Sequence, residues 1–333
     1  MEKLVIHIDL RNTTLVADTF TNTGVETCLA SYLSSVAWGS VDSKDGTWRM
    51  THDVLSLKQP ENGLISFYNH IEMQARDTAV DRIKIRELTG KFVESDSGVK
   101  VRQIYKKLLD KLQWQHKDTR WTQFFIEGES RVKYHFILPS LYYLLRHLVV
   151  KNVNFSLVIR TFGMDCPQAL ECVQLFLQNR HPMYKINTRR EISVNRKPFH
   201  IRRSSSPHKI KLLDSEGETI CRNTGEFYNW TVLTEGITGI VDEYSTWELS
   251  GYSLNWGKPF FVSDRDKIKQ VIFDDNARPC DEHSIVNLIK HDENEFRDLN
   301  VEEGFQYFEK NVFQVDLIAA ILNDLYFVNK LSL

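Results

Sequence analysis

Three apolar runs in the chain end in polar side chains. Leu4 to Ile8 leads into Asp9, Phe155 to Ile159 leads into Arg160-Thr161, and Gln270 to Phe273 leads into the carboxylate pair Asp274-Asp275. A hard divalent cation such as Mg²⁺ takes oxygen ligands and keeps several waters, so a set of carboxylates is the natural place to hold one. A carboxylate can also act as a nucleophile toward a phosphoryl group, provided a cation neutralises charge on both partners. Taken singly, an Asp at a strand end is more often a turn or cap residue. The chemistry therefore requires elements that bring the separate residues to one place.

Runs that are apolar at nearly every position are expected of strands buried on both faces of a parallel sheet. Helical spacing recurs between them. Val25, Cys28, Leu29, Tyr32, Leu33 and Val36 share one face, as do Val101, Ile104, Tyr105, Leu108, Leu109 and Leu112. A further helix starts at Pro139, a favoured first-turn residue, and delivers the chain to the run at Phe155. Asp165-Cys166-Pro167 reads as a cap and first turn, and Val315 to Leu325 reads as one amphipathic C-terminal helix. Strands alternating with helices predict an α/β fold, a doubly wound and mainly parallel sheet, in which ligands sit beyond the carboxyl ends of the strands. Asp9, Thr161 and Asp274 then share one edge. Residues 1–37 and 114–333 are expected to form the core. Residues 38–113, polar and with a turn at Asp42 to Gly46, are expected to form an inserted cap. Short alternating segments at about 183–221, with a turn at Asp214 to Gly217, suggest a β-rich insertion.

At 333 residues the chain is long enough for one generous α/β domain or a core with an insertion. Its 42 Lys+Arg against 44 Asp+Glu leave a formal charge of -2, so no long-range field gathers nucleic acid or anionic membrane. Five cysteines (Cys28, Cys166, Cys172, Cys221, Cys280) lack zinc-site spacing and read as reduced packing thiols. The apolar start is too short for a signal peptide and no segment is long enough to span a bilayer, so a cytoplasmic protein is expected. The basic run Arg202 to Lys209 reads as a solvated loop, and His283 and His291 as surface residues. Trp247 and Trp256, which flank Lys258, are aromatic residues suited either to a pocket wall or to the core.

The strings Ile8-Asp9-Leu10-Arg11-Asn12-Thr13, Ile159-Arg160-Thr161-Phe162-Gly163, Trp256-Gly257-Lys258-Pro259 and Phe273-Asp274-Asp275-Asn276 occur in this order. Here the chain resembles the haloacid dehalogenase-like (HAD) superfamily. Its four motifs are a strand ending in a nucleophilic Asp with a Thr four residues on, a strand ending in Ser or Thr, a Lys, and a strand ending in acidic residues. Arg-Thr-Phe-Gly and Phe-Asp-Asp-Asn are shared with poorly characterised members, for which the resemblance implies no particular substrate. It does imply a Rossmann-type core, an Mg²⁺-dependent hydrolase acting on a phosphorylated small molecule, and an aspartyl-phosphate at Asp9. By the same resemblance Asp9, Thr161 and Lys258 are catalytic, and Asp9, Asp274 and Asp275 hold the metal. Arg11, Asn12, Thr13 and Arg160 bind substrate. Lys267 and Lys269 also lie near the fourth motif.

One position departs from the pattern. Phosphatases of the family carry a second Asp two residues after the nucleophile as general acid and base, and this chain has Arg11 there. A guanidinium stays protonated and cannot take that role, whose loss typically costs about 10²–10⁴ in rate. Three outcomes follow: leaving groups that need no proton, such as acyl phosphates or anhydrides; a substitute acid such as Asp242 or Glu243; or a site that binds without turnover. A catalytically impaired ligand-binding or interaction protein and a phosphotransferase are the rival functions.

Overall fold

The computed structural model describes residues 3–332 apart from residues 20, 75–79, 119, 189, 264–267, 280, 293 and 294, and apart from the side chains of residues 80–83. Two compact units make up the chain. The first comprises residues 1–15, 116–124 and 137–333, and the second residues 16–115 and 125–136.

The first unit is built on an eight-stranded, mainly parallel sheet. Its strands run in the order Thr219–Cys221, Ile210–Leu213, Phe199–Arg203, Gly236–Val241, Phe155–Thr161, Leu4–Asp9, Lys269–Asp274 and Val312–Gln314. From Phe199–Arg203 to Val312–Gln314 every pairing is parallel, and the two strands at the opposite margin are antiparallel. All six residues of Leu4–Asp9 and all seven of Phe155–Thr161 are buried, as their unbroken apolar character requires. In the register, Ile8 aligns with Phe273 and Asp9 with Arg160, so the Asp9, Thr161 and Asp274 strands end at one edge.

Helix Pro139–Val150 begins with proline in its first turn and leads into the Phe155 strand, and helix Cys166–Leu177 follows that strand. Both match the periodicity. The C-terminal segment does not form one helix. It is split into Leu317–Leu322 and Tyr326–Leu331, because Asn323 adopts an extended conformation and its side chain accepts a hydrogen bond from the Leu325 N–H. A carboxamide that bonds nearby main chain competes with the helical ladder.

The segment at about 183–221 carries three strands. Phe199–Arg203, Ile210–Leu213 and Thr219–Cys221 extend the main sheet, with Gly217 at φ 88° closing the expected turn. A second sheet, ordered Lys258–Val262, Val286–Asp292 and Glu295–Asp298, places Phe261 and Ile289 in one cluster with Val5, Val158 and Ile240 of the main sheet. Burying such side chains contributes roughly 1.5–3 kcal/mol each, which fixes the strand that carries Lys258 against the strand that carries Asp9.

The second unit begins earlier in the chain than expected. Helix Val25–Val36, assigned from sequence to the core, packs against helices Phe67–Gln74 and Val80–Gly90 of this unit. Strands Trp48–Met50, Trp38–Val41 and Ile65–Ser66 form a small antiparallel sheet, and Asp42 to Gly46 makes its turn. The hairpin of Phe125–Glu127 and Lys133–His135 joins the same unit because the Glu26 carboxylate accepts hydrogen bonds from the Glu129 N–H at 2.9 Å and the Tyr134 hydroxyl at 3.0 Å.

His135 in that hairpin is buried edge-on against Trp114, at 5.1 Å between ring centroids. Burial, aided by the Lys111 charge, lowers its pKa to about 4. The unfolded imidazole protonates near pH 6.5, so this stability is present above that value and is lost as pH falls toward 4. His135→Gln removes the titration. Between pH 7.5 and pH 5 the stability difference should therefore move by roughly 2 kcal/mol in favour of the variant, measured by urea unfolding at each pH.

Candidate active site

Leu4–Asp9 ends in a tight turn, in which the Thr13, Thr14 and Leu15 N–H groups all donate to the Leu10 carbonyl. Asn12 takes a left-handed conformation at φ 57°, which asparagine tolerates better than most residues. The Thr14 hydroxyl donates to the Asp9 carbonyl at 2.9 Å, and the Asp275 N–H donates to the Thr13 hydroxyl at 3.1 Å. These bonds tie the turn after the first strand to the end of the Lys269–Asp274 strand.

At that junction the Lys258 ammonium bridges two carboxylates, 2.5 Å from Asp9 Oδ1 and 2.7 Å from Asp274 Oδ2. All three side chains are almost wholly buried. Asp275, half-buried, completes a trio whose ligand oxygens lie within 4.8 Å of one another. Three carboxylates against one ammonium leave two negative charges in a desolvated place, which is very costly unless another cation arrives or protons are taken up. The proton affinities carry this mark. Burial, and then the Asp274 charge, lift the Asp9 pKa to about 7 despite Lys258. Burial and the charges of Asp274 and Asp9 push Asp275 well above the usual carboxylate range. Attraction to Asp274 and Asp9 outweighs burial for Lys258 and keeps it protonated.

The residues present fit a single hard divalent cation. The donors are all oxygen, the uncompensated charge is two, and the cluster stands at the carboxyl edge of a parallel sheet. Asp9, Asp274 and Asp275 would hold it. Titrating Mg²⁺ should then raise thermal stability, by about 2.7 kcal/mol at a hundredfold excess over Kd. In its absence, raised carboxyl pKa values mean that stability is lost as pH rises from about 4 through 7. The stabilisation by Mg²⁺ should therefore be larger at pH 8 than at pH 6, and Asp274→Asn should remove it, as calorimetry at the two pH values would register.

Other expected site residues fall differently. Thr161 closes its strand one position beyond Arg160, the register partner of Asp9, and its hydroxyl accepts from the Gly163 N–H at 2.9 Å. Arg11 is exposed, and Thr13 is fully buried as a structural tie rather than presented to a ligand. Asn12 bonds the Asp275 carboxylate through its side chain. Arg160, expected to bind substrate, is engaged within the protein instead of being exposed. It is fully buried and forms a two-point ion pair with Asp242, with Nη2–Oδ1 at 2.5 Å and Nε–Oδ2 at 2.9 Å. The same pair removes Asp242 from the candidate acids. Glu243 accepts from the Arg203 N–H and is also engaged.

Lys269 begins its strand, at the end opposite Asp274, and is exposed, which leaves Lys258 as the site lysine among the described residues; Lys267 lies outside them. Trp247 lies in the core, stacked on Phe162 at 5.3 Å, and Trp256 lies against Arg203. His291 packs between Tyr228 and Phe296 rather than on the surface, whereas His283 is exposed. Cys28, Cys166, Cys172 and Cys221 are buried, and Cys280 lies outside the described residues. Among the described residues no helix is long and apolar enough to cross a membrane.

Sequence reasoning missed His7 and the Arg160–Asp242 pair. His7, two residues before Asp9, is held neutral by burial and by the Arg160 charge, with its pKa lowered to about 3. A polar residue inside an otherwise apolar strand was the available signal. Comparisons with protein-family models, with curated proteins and with solved structures found no match to this chain.

Proposed function

We propose that the chain is a HAD-type, Mg²⁺-dependent hydrolase that takes the phosphoryl group of a small molecule onto Asp9. The observation that carries this reading is the buried Lys258 ammonium bridging Asp9 and Asp274 beside Asp275, on the facing ends of two adjacent parallel strands. The doubly wound core of that superfamily agrees with the mainly parallel sheet. When bound, Mg²⁺ supplies charge neutralisation for an incoming phosphate.

The chain's own residues define the rest. An Asp9 oxygen bonds to phosphorus while the bond from phosphorus to the leaving oxygen breaks. Lys258 orients the nucleophile and partly offsets the rise in its proton affinity that burial causes, and the Thr161 hydroxyl donates to a phosphoryl oxygen. The leaving oxygen departs with its electron pair. Arg11 cannot protonate it, and Asp242 is committed to Arg160. Acyl phosphates and phosphoric anhydrides, whose leaving groups are stable as anions, are therefore the substrates that suit this site. Water then releases phosphate from Asp9 without a base at position 11, which makes this second step the slow one.

The test is a panel of phosphate esters, acyl phosphates and anhydrides with Mg²⁺. Turnover of acyl phosphates or anhydrides well above that of alkyl esters supports the proposal. Arg11→Asp should then raise ester hydrolysis by about 10²-fold or more. Arg11 also favours a second reading, a module that binds phosphate without turnover. Beryllium fluoride binding with no hydrolysis of any substrate would select it and overturn the enzyme.

A further inference from the structure

The segment before and after Lys258 is held by two guanidinium groups that the phosphoryl chemistry leaves unused. Arg203 Nη2 donates to the Gly257 carbonyl and Nη1 to the Asn255 carbonyl at 3.4 Å. Arg160 Nη1 donates to the Pro259 carbonyl at 3.2 Å. The carbonyls gripped thus lie on both sides of Lys258 in the chain, at residues 255, 257 and 259. Arg160 is itself fixed by Asp242 through two bonds, and Arg203 lies against the Trp256 ring at 6.0 Å.

The same segment is seated on the neighbouring strand. The Lys258 N–H donates to the Ile285 carbonyl at 2.6 Å, and a Cβ added at Gly257 would stand 2.2 Å from that same oxygen. Only glycine permits this approach. Hydrogen bonds from ionised donors are roughly twice as strong as neutral ones, and a bidentate guanidinium adds a fixed direction. Ordinary sheet packing would not require two buried or half-buried arginines aimed at three alternate carbonyls.

We propose that Arg160 and Arg203 are positioning residues for Lys258: gripping the main chain on either side, they set the ammonium between Asp9 and Asp274. The inference rests on the reading of Lys258 as a site lysine, and its test has a readout that does not need turnover. The Lys258 ammonium lies 5.3 Å from the Phe162 ring centroid, so its ε-methylene protons carry a ring-current shift. In the full chain labelled with ¹³C-lysine, the displaced signal that Phe162→Leu returns toward the bulk lysine position is that of Lys258.

Arg203→Met keeps packing against Trp256 and removes both carbonyl bonds. The Lys258 signal is expected to move or broaden while the other lysine signals stay, and Arg203→Lys, which retains one donor, should recover part of the shift. In an active preparation kcat should fall by about 10²-fold with KM changed less than about twofold, the cost of a misplaced group. Arg160→Met paired with Asp242→Leu, which avoids stranding a buried carboxylate, should move the same signal. A Lys258 signal in Arg203→Met that coincides with wild type would overturn the proposal. Absence of turnover in wild type would defeat the hydrolase reading instead, and the lysine signal would still decide the clamp.

Discussion

Lys258→Met should destabilise the protein by about 3–5 kcal/mol at neutral pH without metal, the cost of removing one partner from a buried ionic group. The mechanism is specific. Asp9 and Asp274 each lose their bond to the ammonium, at 2.5 and 2.7 Å, and three carboxylates then face one another with no counter-charge. Two treatments should restore stability if this account is correct. Mg²⁺ brings two positive charges, and acidification toward pH 5 protonates carboxyls whose affinity for protons is already raised in wild type. Urea unfolding with and without Mg²⁺ at pH 5 and pH 8 measures both. A loss of stability independent of pH and of Mg²⁺ would mean that Lys258 acts by packing volume, not by charge.

Asp9→Asn should reduce turnover by about 10³-fold or more, because a carboxamide cannot form the covalent intermediate. Its effect on stability should be opposite to that of Lys258→Met. The amide oxygen still accepts from Lys258, one uncompensated charge disappears, and the metal-free protein should be as stable as wild type or more so at pH 8. Parallel measurement of phosphate release and of melting temperature separates the two effects. Equal activity in variant and wild type would remove Asp9 from the reaction. Lost activity accompanied by lost stability would show a structural role in place of a chemical one.

Much of this arrangement was legible from residue types alone, for identifiable reasons. Leu4–Asp9 and Phe155–Thr161 are uniformly apolar because both faces are covered, and such strands announce themselves and their polar ends. Helix Pro139–Val150 declared its start through proline. Strand Gly236–Val241, central in the sheet, was missed. With glycine, threonine and isoleucine interspersed it shows neither a long apolar run nor clean alternation, and Gly239 is small because a Cβ there would meet Cys166 Sγ at 2.2 Å. Spacing could not show which arginines were structural. Arg160 stands beside Thr161 in the chain, yet its guanidinium is matched to Asp242, 82 residues away. Pairings of that separation are set by tertiary packing and leave no local pattern. The unit to which Val25–Val36 belongs was not legible for a similar reason: its apolar face fits any core, and only the partners it meets decide which one.

The two outermost strands of the large sheet, Thr219–Cys221 and Val312–Gln314, are only three residues long, and the former departs from regular register with its neighbour. A foreign chain seeking to add itself laterally would find room for few main-chain bonds before the template ran out. Short, irregular borders of this kind discourage intermolecular strand growth, so a sheet assembled largely from hydrophobic strands can persist at high protein concentration without seeding fibres.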